Sequence, residues 1–573
     1  MPDVLLMILR RLRAPLIILI LAYAVSVGGL AVMPGMLPDG TPTRLGYFHA
    51  FYIVSYTATT IGFGEVPYPF TDAQRLWLTI TIYISVIGWT YTLASVFALV
   101  NDMAFRAAVA RSHFAWRVRG ITDPFVIICG YGQSGATLAR ALDRIGLRLV
   151  IIEMRADRAA RIAIEDYRSP PLVLTSDARL PDVLDDAGIH KPECEGLIAL
   201  TGDDSANQAI AIGARALVAG LKIVARAKAR VAQANLEAFG GMHVINPFET
   251  FATNLALGLD APESLQLEEW LTASLGSPLP EKVELPRGLW ILVGYGRFGQ
   301  AISRVLDKAG IPWKAIDPQA GVDDPEHLLD SDNTEEALCD AGIAEAKALV
   351  AGTDIDAINL GVTTLARRVR PDIFVMIRQN QSADRVLIEA ARARLAFVQS
   401  ELMVHECLQV LRTPMLGRFV WRVRVEGREF AREVIERLTA AVGNGTPRAW
   451  RFQCDVMQPG MFTAFFQKQG EPLRIQHLLS NPVHPSSRLP AMVLMCERRQ
   501  ESILLPPDDM VLKPGDSLLF VGRDAARQLQ ARYLSDPHSV EFALTGIEPP
   551  RSWLLRRLAE HRRRAKAARG ESA

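Results

Sequence analysis

Three short glycine-containing stretches carry the residues whose types and spacing could do chemistry. The first, Thr57 to Glu65, reads Thr-Ala-Thr-Thr-Ile-Gly-Phe-Gly-Glu. Glycines alternating with larger residues, directly after threonines, suit a backbone that holds successive carbonyls on one side at spacings ordinary residues resist. The carbonyls of Thr60, Ile61, Gly62 and Phe63 then form consecutive rungs, Gly64 ends the strip, and the Thr60 hydroxyl adds a rung below. Stacked oxygens of this kind can replace the water shell of a monovalent cation, and no catalytic side chain is needed. A threonine-glycine loop in a soluble protein has the same composition, so the flanking elements must decide.

The other two stretches are Gly130-x-Gly132-x-x-Gly135 and Gly294-x-Gly296-x-x-Gly299. Glycines at these spacings let backbone N–H groups approach a phosphate, and a helix N-terminus behind them supplies partial positive charge. An acid follows each middle glycine by 21 positions, Glu153 after Gly132 and Asp317 after Gly296, where it can hold a ribose 2′-hydroxyl. A 2′-phosphate would be repelled there, so NAD or an adenine nucleotide is expected rather than NADP. Arg226 and Arg378 hold equivalent positions and could neutralise phosphates from the far lip. Inside the motif Arg297 can fork onto a phosphate where Gln133 cannot, so the two sites should differ in ligand or affinity. Asp177 either contacts the nucleoside or caps a turn. The alternative for each site is a vestigial nucleotide fold whose glycines serve only helix–strand packing.

The elements that must position these residues come in two sorts. Residues 14–33 and 76–100 are uncharged runs long enough to cross a bilayer's hydrocarbon core. A cleavable signal peptide is the alternative for the first, but no small-residue cleavage site follows it. Arg10, Arg11 and Arg13 (within residues 1–13) precede the first run, and Arg106, Arg111, Arg117 and Arg119 follow the second. The positive-inside bias therefore places both termini in the cytoplasm of a multi-pass inner (plasma) membrane protein, with the loop between facing outward. Between the runs, residues 46–65 start with an apolar, aromatic stretch too short to cross. It suits a re-entrant half-helix stopping near Ala58, its C-terminal dipole end towards a cation path.

From Phe125 the composition becomes that of a soluble α/β domain. FVIICGYGQSG is an apolar strand running into the first glycine loop, with a helix after it and the strand LRLVIIE closing on Glu153. The unit then recurs. LWILVGYGRFGQ repeats strand and loop, LIALTGDDSANQAI parallels ALVAGTDIDAINLG, and KIVARAKAR parallels FVMIRQNQ. Duplication on this scale is far more specific than either loop alone. Within LLPPDDMVLKPGDSLLFVG, a Pro-Gly-Asp turn between two apolar runs predicts a hairpin.

These features carry a family resemblance. TTIGFGE resembles the potassium-channel signature, usually TVGYG followed by Asp, and departs from it at Ile61, Phe63 and Glu65. Phe63 lacks the phenol of the usual Tyr, which bears on filter rigidity more than on selectivity. Helix, re-entrant loop and helix resemble the two-transmembrane potassium channels, and the duplicated α/β units resemble tandem RCK (regulator of potassium conductance) domains of the ligand-gated prokaryotic type. The implied fold is an all-α membrane pore fused to Rossmann-like α/β tandem RCK domains and a small α+β C-terminal subdomain. Its expected divisions are a 101–122 gating linker, 123–287 for the first RCK unit with its crossover helix, 288–414 for the second, 415–545 for the C-terminal region and 546–573 for a basic tail. Asn246-Pro247-Phe248 and the helix after it look like the crossover by which one such domain clasps another, with Glu401 to Leu411 as the second copy's equivalent.

The resemblance implies passive potassium transport through a homotetramer in the lipid bilayer, with eight RCK units in a ring. Gly88 serves either as the inner-helix gating hinge or as a close helix–helix contact. Calcium is the rival ligand. Related calcium sites place carboxylates where this chain has Arg226 and Lys228, which leaves Asp203, Asp204, Asp354 and Asp356 as carboxylates that a solvated turn would explain equally well.

Composition sets the outer bounds. With 573 residues the chain has room for several domains, and a formal net charge of +1 argues against nucleic-acid partners. Six scattered cysteines without a Cys-x-x-Cys pair offer no zinc site and read as reduced thiols. A non-enzymatic role is expected, since no acid–base pair is positioned for hydride chemistry. The alternatives are a membrane-anchored NAD-dependent oxidoreductase and a subunit of a potassium uptake transporter.

Overall fold

A computed structural model describes residues 2–535 apart from 274, 319–326, 330–334, 455–471, 482–483, 485–486 and 500. The basic tail with Arg556, Arg557, Arg562, Arg563 and Arg564 lies outside the described residues.

One compact unit is built mainly from Met1–Thr122. Helix Pro2–Val32 and helix Asp72–Asn101 are both long and apolar enough to cross a membrane. They pack on each other where small residues allow it. A Cβ on Gly29 would fall 2.0 Å from the Trp77 ring, whose indole N–H donates to the Ser26 carbonyl at 3.0 Å. Thr71 caps the second helix in a reciprocal box with Gln74. Between them sits the short helix Tyr47–Ala58, which buries Ala50, Ile53, Val54, Tyr56 and Ala58 against Leu30, Leu45, Tyr68 and Phe70. Helix Met103–Arg119 follows directly, N-capped by the Asp102 carboxylate.

From Phe125 onward, two α/β domains each hold a six-stranded parallel sheet. The strands of the first, in chain order, are Phe125–Cys129, Arg148–Glu153, Leu172–Thr175, Cys194–Ala199, Lys222–Arg226 and His243–Ile245. Those of the second are Trp290–Val293, Trp313–Ile316, Leu328–Leu329, Ala348–Ala351, Phe374–Gln379 and Leu395–Val398. Numbered so, both sheets run 3-2-1-4-5-6, the doubly wound order whose reversal leaves a crevice at the ends of strands 1 and 4. The first strands, Phe-Val-Ile-Ile-Cys and Trp-Ile-Leu-Val, are buried throughout, as a parallel sheet covered on both faces requires.

The two domains exchange crossover helices. Asn246 caps helix Pro247–Asp260 through its side-chain oxygen, and that helix packs on Arg297–Lys308 of the second domain. Helix Gln399–Arg412, which leaves the second domain, packs in turn on Gln133–Arg144 of the first. The Lys222 ammonium donates to the Leu411 carbonyl at 2.9 Å, and Arg304 pairs with Glu249. At the centre of one contact Phe397 lies stacked on Phe298 at 4.6 Å between centroids, with Phe251 at 4.8 Å and Phe248 at 5.9 Å.

The C-terminal region starts with helices Pro414–Glu426 and Arg428–Val442, which share a core with Leu267, Trp270 and Leu271 from helix Pro262–Thr272. Arg424 forks onto Glu268 at 2.6 and 2.9 Å and also reaches Asn254. A four-stranded antiparallel sheet follows, in which the expected hairpin is corrected. The Lys513–Asp516 turn forms, but strands Glu501–Leu504 and Ser517–Gly522 are not neighbours. Arg498 sits opposite Glu501, so the tight turn lies there and Glu501–Leu504 pairs back on Ala491–Arg498. Strand Ser517–Gly522 takes the other edge of Ala491–Arg498.

Phe397→Ala should lose about 3–5 kcal/mol, the range for emptying a buried aromatic site. A lower midpoint in urea titration of the purified protein, followed by tryptophan fluorescence, is the expected result.

Candidate functional sites

Helix Tyr47–Ala58 ends where the first glycine stretch begins, and its last carbonyls hold the loop. The Tyr56 carbonyl accepts from Ile61 N–H at 2.9 Å and from Gly62 N–H at 3.4 Å. Those amides are thereby turned towards the helix. Thr60, Gly62 and Gly64 have φ of 63°, 68° and 92°, alternating with Ile61 and Phe63 of ordinary hand. Reversing the hand at every second residue turns successive peptide planes the same way, which is the arrangement a ladder of carbonyls needs. For the β-branched Thr60 this conformation costs about 1–3 kcal/mol, a strain that persists only where the surroundings impose it. At the outer end the Tyr56 hydroxyl donates to the Gly64 carbonyl at 2.5 Å. Phe63 stacks over Tyr52, with centroids 6.2 Å apart.

Gly88 lies within the continuous helix Asp72–Asn101, where an added Cβ would come 3.4 Å from the Ala22 methyl. Its carbonyl accepts from the Thr92 hydroxyl at 2.8 Å. Gly88 thus lies where the two long helices approach each other.

In the α/β domains each glycine loop runs from strand 1 into a helix, Gln133–Arg144 or Arg297–Lys308. Gly132 and Gly296 are the N-caps, and neither helix has a side-chain cap on its first amides. Nothing lies within 4 Å of a Cβ built on Gly296, and only Arg158 Nη1, at 3.8 Å, approaches one on Gly132. Open space over uncapped N–H groups fits a phosphate. Gly130 and Gly294 have φ of 98° and 94°, while Gly135 and Gly299 press on the loop itself. A Cβ there would meet the Gly130 or Gly294 carbonyl oxygen at 2.2 or 2.3 Å.

The acids brace the loops. Glu153, 5% exposed, accepts from Tyr131 N–H at 2.5 Å and from Arg155 N–H at 2.9 Å. Asp317, half-buried, accepts from Tyr295 N–H at 2.6 Å. Asp177 takes the turn-cap geometry, accepting from the Arg179 amide at 3.0 Å and pairing with its guanidinium at 2.7 Å.

Arg226 and Arg378 both turn inward to backbone carbonyls of the loop after strand 4, one residue apart in the repeat. Arg226 donates to Thr201, and its Nε is buried with no hydrogen-bond partner. Arg378 donates to Gly352 at 3.3 Å while lying over the Phe248 and Phe298 rings at 5.5 and 5.9 Å. Burial lowers the pKa of both guanidiniums. Lys228 shows how these cations converge: burial first, then Arg226, Arg297 and Arg378, hold its ammonium below the ordinary value, with Asp204 opposing. Cations from both domains therefore share one neighbourhood. Arg297 is exposed at the first turn of its helix, and Gln133 occupies the matching place in the first domain.

Two residues that sequence reasoning passed over fix this region. Asn207 accepts from Thr201 N–H at 2.8 Å and donates to the Arg226 carbonyl at 2.9 Å. Asn359 does the same between Thr353 at 2.9 Å and Arg378 at 2.9 Å. Their identical place in the two repeats was the available signal. Three of the four carboxylates considered for calcium are engaged similarly. Asp203 caps a helix at Ser205, Asp204 accepts from the Lys228 and Ala229 amides, and Asp356 accepts from those of Asn380 and Gln381. Among the described residues no group of three or more His, Cys, Asp or Glu side chains could hold a metal ion.

Fold and loops together define a pair of nucleotide-fold domains following a short membrane-type helical unit. Residues 126–247 and 290–399 each match the family model of the TrkA-N domain. Potassium channel protein 1 of Methanocaldococcus jannaschii is 29% identical over 183 residues, 32% of this chain and 53% of that protein. An uncharacterized protein of Methanothermus fervidus is 29% identical over 226 residues, 39% of this chain and 34% of its own length. The matches thus span about a third to a half of these relatives. Among solved structures, one titled GsuK Channel aligns over 93% of this chain and all of its own, at 16% identity and a TM-score of 0.46.

Gly135→Ala and Gly299→Ala should each cost on the order of 1–3 kcal/mol, because the backbone oxygen facing the new methyl cannot step aside. Gly296→Ala, which meets open space, should stay within about 0.5 kcal/mol of the parent. Thermal unfolding of the purified variants checks the contrast.

Proposed function

We propose that this protein is a potassium-selective channel in a cell's inner (plasma) membrane, gated by a nucleotide bound to its α/β domains. The observation that carries the reading is the Thr60–Gly64 backbone: alternating hand, amides turned to the end of a half-helix, and that helix lodged between two apolar helices. Leu16, Ile17, Ile20, Leu21, Ile80, Tyr83, Ile87 and Phe97 stand exposed on those helices, a face that suits lipid rather than water. One such loop cannot surround an ion, so four chains meet about an axis as a homotetramer. Their α/β domains make a ring of eight units, and both termini are cytoplasmic. The match to a protein named as a potassium channel supports the same reading.

NAD or an adenine nucleotide is the proposed ligand. Its phosphates would sit over the N-termini of helices Gln133–Arg144 and Arg297–Lys308, held by Gly132, Gln133, Gly296 and Arg297 and screened by Arg226, Lys228 and Arg378. Glu153 and Asp317 would receive ribose hydroxyls with the lone pairs their loop contacts leave over. Asp177 can join them only by leaving Arg179. A ligand biases opening only through its different affinity for two ring shapes. Expansion of the ring would pull residues 101–122 and splay helix Asp72–Asn101 near Gly88.

Currents from purified protein in bilayers, recorded with and without NAD, NADH, ADP and ATP, test the proposal. Potassium-selective current that changes with at least one of these is expected, and no response to any removes the regulatory half. Arg378→Met should weaken the effective nucleotide about ten-fold, the loss of one charge-assisted contact, in equilibrium titration.

A further inference from the structure

Position 63, where a phenol would brace such a loop from its side, holds phenylalanine. The strip is nonetheless tied at its outer end, and by two side chains that its own composition does not suggest. Tyr56, 5% exposed on the last turn of the half-helix, grips the strip twice. Its carbonyl accepts the Ile61 and Gly62 amides at the inner end, and its hydroxyl donates to the Gly64 carbonyl at 2.5 Å at the outer end. Its ring also meets the Phe63 ring edge-on at 5.6 Å, so the phenyl fills space while the tyrosine supplies the hydrogen bond. The second tie is Glu65. Arg75 forks onto it at 2.9 and 3.2 Å, and the Phe70 amide donates to it at 2.8 Å. Gly64, between these ties, has φ of 92° and open space where a side chain would lie, so no side chain of its own restrains it.

We propose that Tyr56 and Glu65 are the positioning residues that set ionic discrimination in this loop, holding its outer end at fixed spacing in place of a phenol at position 63. The proposal rests on the pore reading of Thr60–Gly64. The Gly64 carbonyl, committed to Tyr56, is an anchor and not a rung. With both ends fixed, the carbonyls of Thr60 to Phe63 cannot close in on a smaller cation. Without the hydroxyl the Gly64 carbonyl is released, and the strip loses the anchor next to its Phe63 rung. Glu65, engaged by Arg75 and the Phe70 amide, acts as a brace and not as a free charge at the mouth.

Tyr56→Phe removes the hydroxyl and keeps the ring, its burial and its contact with Phe63. Reversal potentials under opposed potassium and sodium gradients are measured for parent and variant, with assembly size checked by gel filtration in detergent. Relative sodium permeability should rise at least about three-fold in the variant, the scale of one lost hydrogen bond, with assembly size unchanged. An unchanged reversal potential overturns the proposal while leaving the pore reading intact. A parent protein that passes sodium as readily as potassium overturns both. If Tyr56→Phe fails to assemble, Arg75→Gln, which releases Glu65 from outside the half-helix, is read the same way: a raised sodium permeability supports the two-tie brace, and parent-like selectivity overturns it.

Discussion

The two nucleotide-fold domains are held together by exchange. Each helix that follows a glycine loop packs against the crossover helix leaving the other domain: Gln133–Arg144 against Gln399–Arg412, and Arg297–Lys308 against Pro247–Asp260. The helices whose first amides are uncapped are therefore the same helices that form the interdomain contact. Phe248, Phe251, Phe298 and Phe397 fill one side of this exchange, and Arg378 lies over two of those rings. Arg378, proposed above to screen a phosphate, is thus also part of the apolar seam.

Much of this was legible in the chain because the signals are local or repeated. Two uncharged runs, a half-length aromatic stretch between them and two strand–glycine–helix units each specify their element by length and period alone. The crossovers were named by resemblance; what the letters Asn246-Pro247 specify by themselves is the helix start, a capping asparagine before an N1 proline. What stayed hidden depends on partners distant in sequence. The hairpin failed because a Pro-Gly-Asp turn says that the chain reverses, not which strand lies beside it, and the tighter reversal at Arg498–Glu501 had already claimed that neighbour. Glu153 and Asp317 stand where a ribose acid should, but their bracing of the Tyr131 and Tyr295 amides needs the loop's folded path to be known. Asn207 and Asn359 were visible only as matched letters in two repeats.

The cation strip illustrates the same boundary at closer range. Its glycines advertise unusual backbone angles, and the structure has them, with Thr60 added as a strained third. What the strip does not advertise is how such a backbone is kept from relaxing, because it has no internal hydrogen bonds of its own to lose. The Thr60, Ile61 and Gly62 amides and the outer carbonyl are instead satisfied by the helix before the strip, with Tyr56 at both ends. The substitution at position 63 looked like a weakness only while hydroxyls were sought at that position. The group behind the loop, four residues before Thr60, is where the missing donor is found.

The placement of charge bears on how a bound nucleotide could move anything. A site built wholly within one rigid domain gives a ligand the same contacts in every arrangement of its neighbours, and such a ligand shifts no equilibrium however tightly it binds. Here Arg226 and Lys228 come from the first domain and Arg297 and Arg378 from the second, and they lie near enough for Lys228 to feel all three guanidiniums. The Lys228 ammonium is repelled by guanidiniums of both domains, with Asp204 opposing, so the repulsion grows the closer the two domains come, and in the proposed scheme an anion among these groups opposes it. In the proposed scheme the differential affinity that gating requires needs no dedicated lever. It follows from putting half of the phosphate-facing charge on each side of a seam that is otherwise hydrophobic.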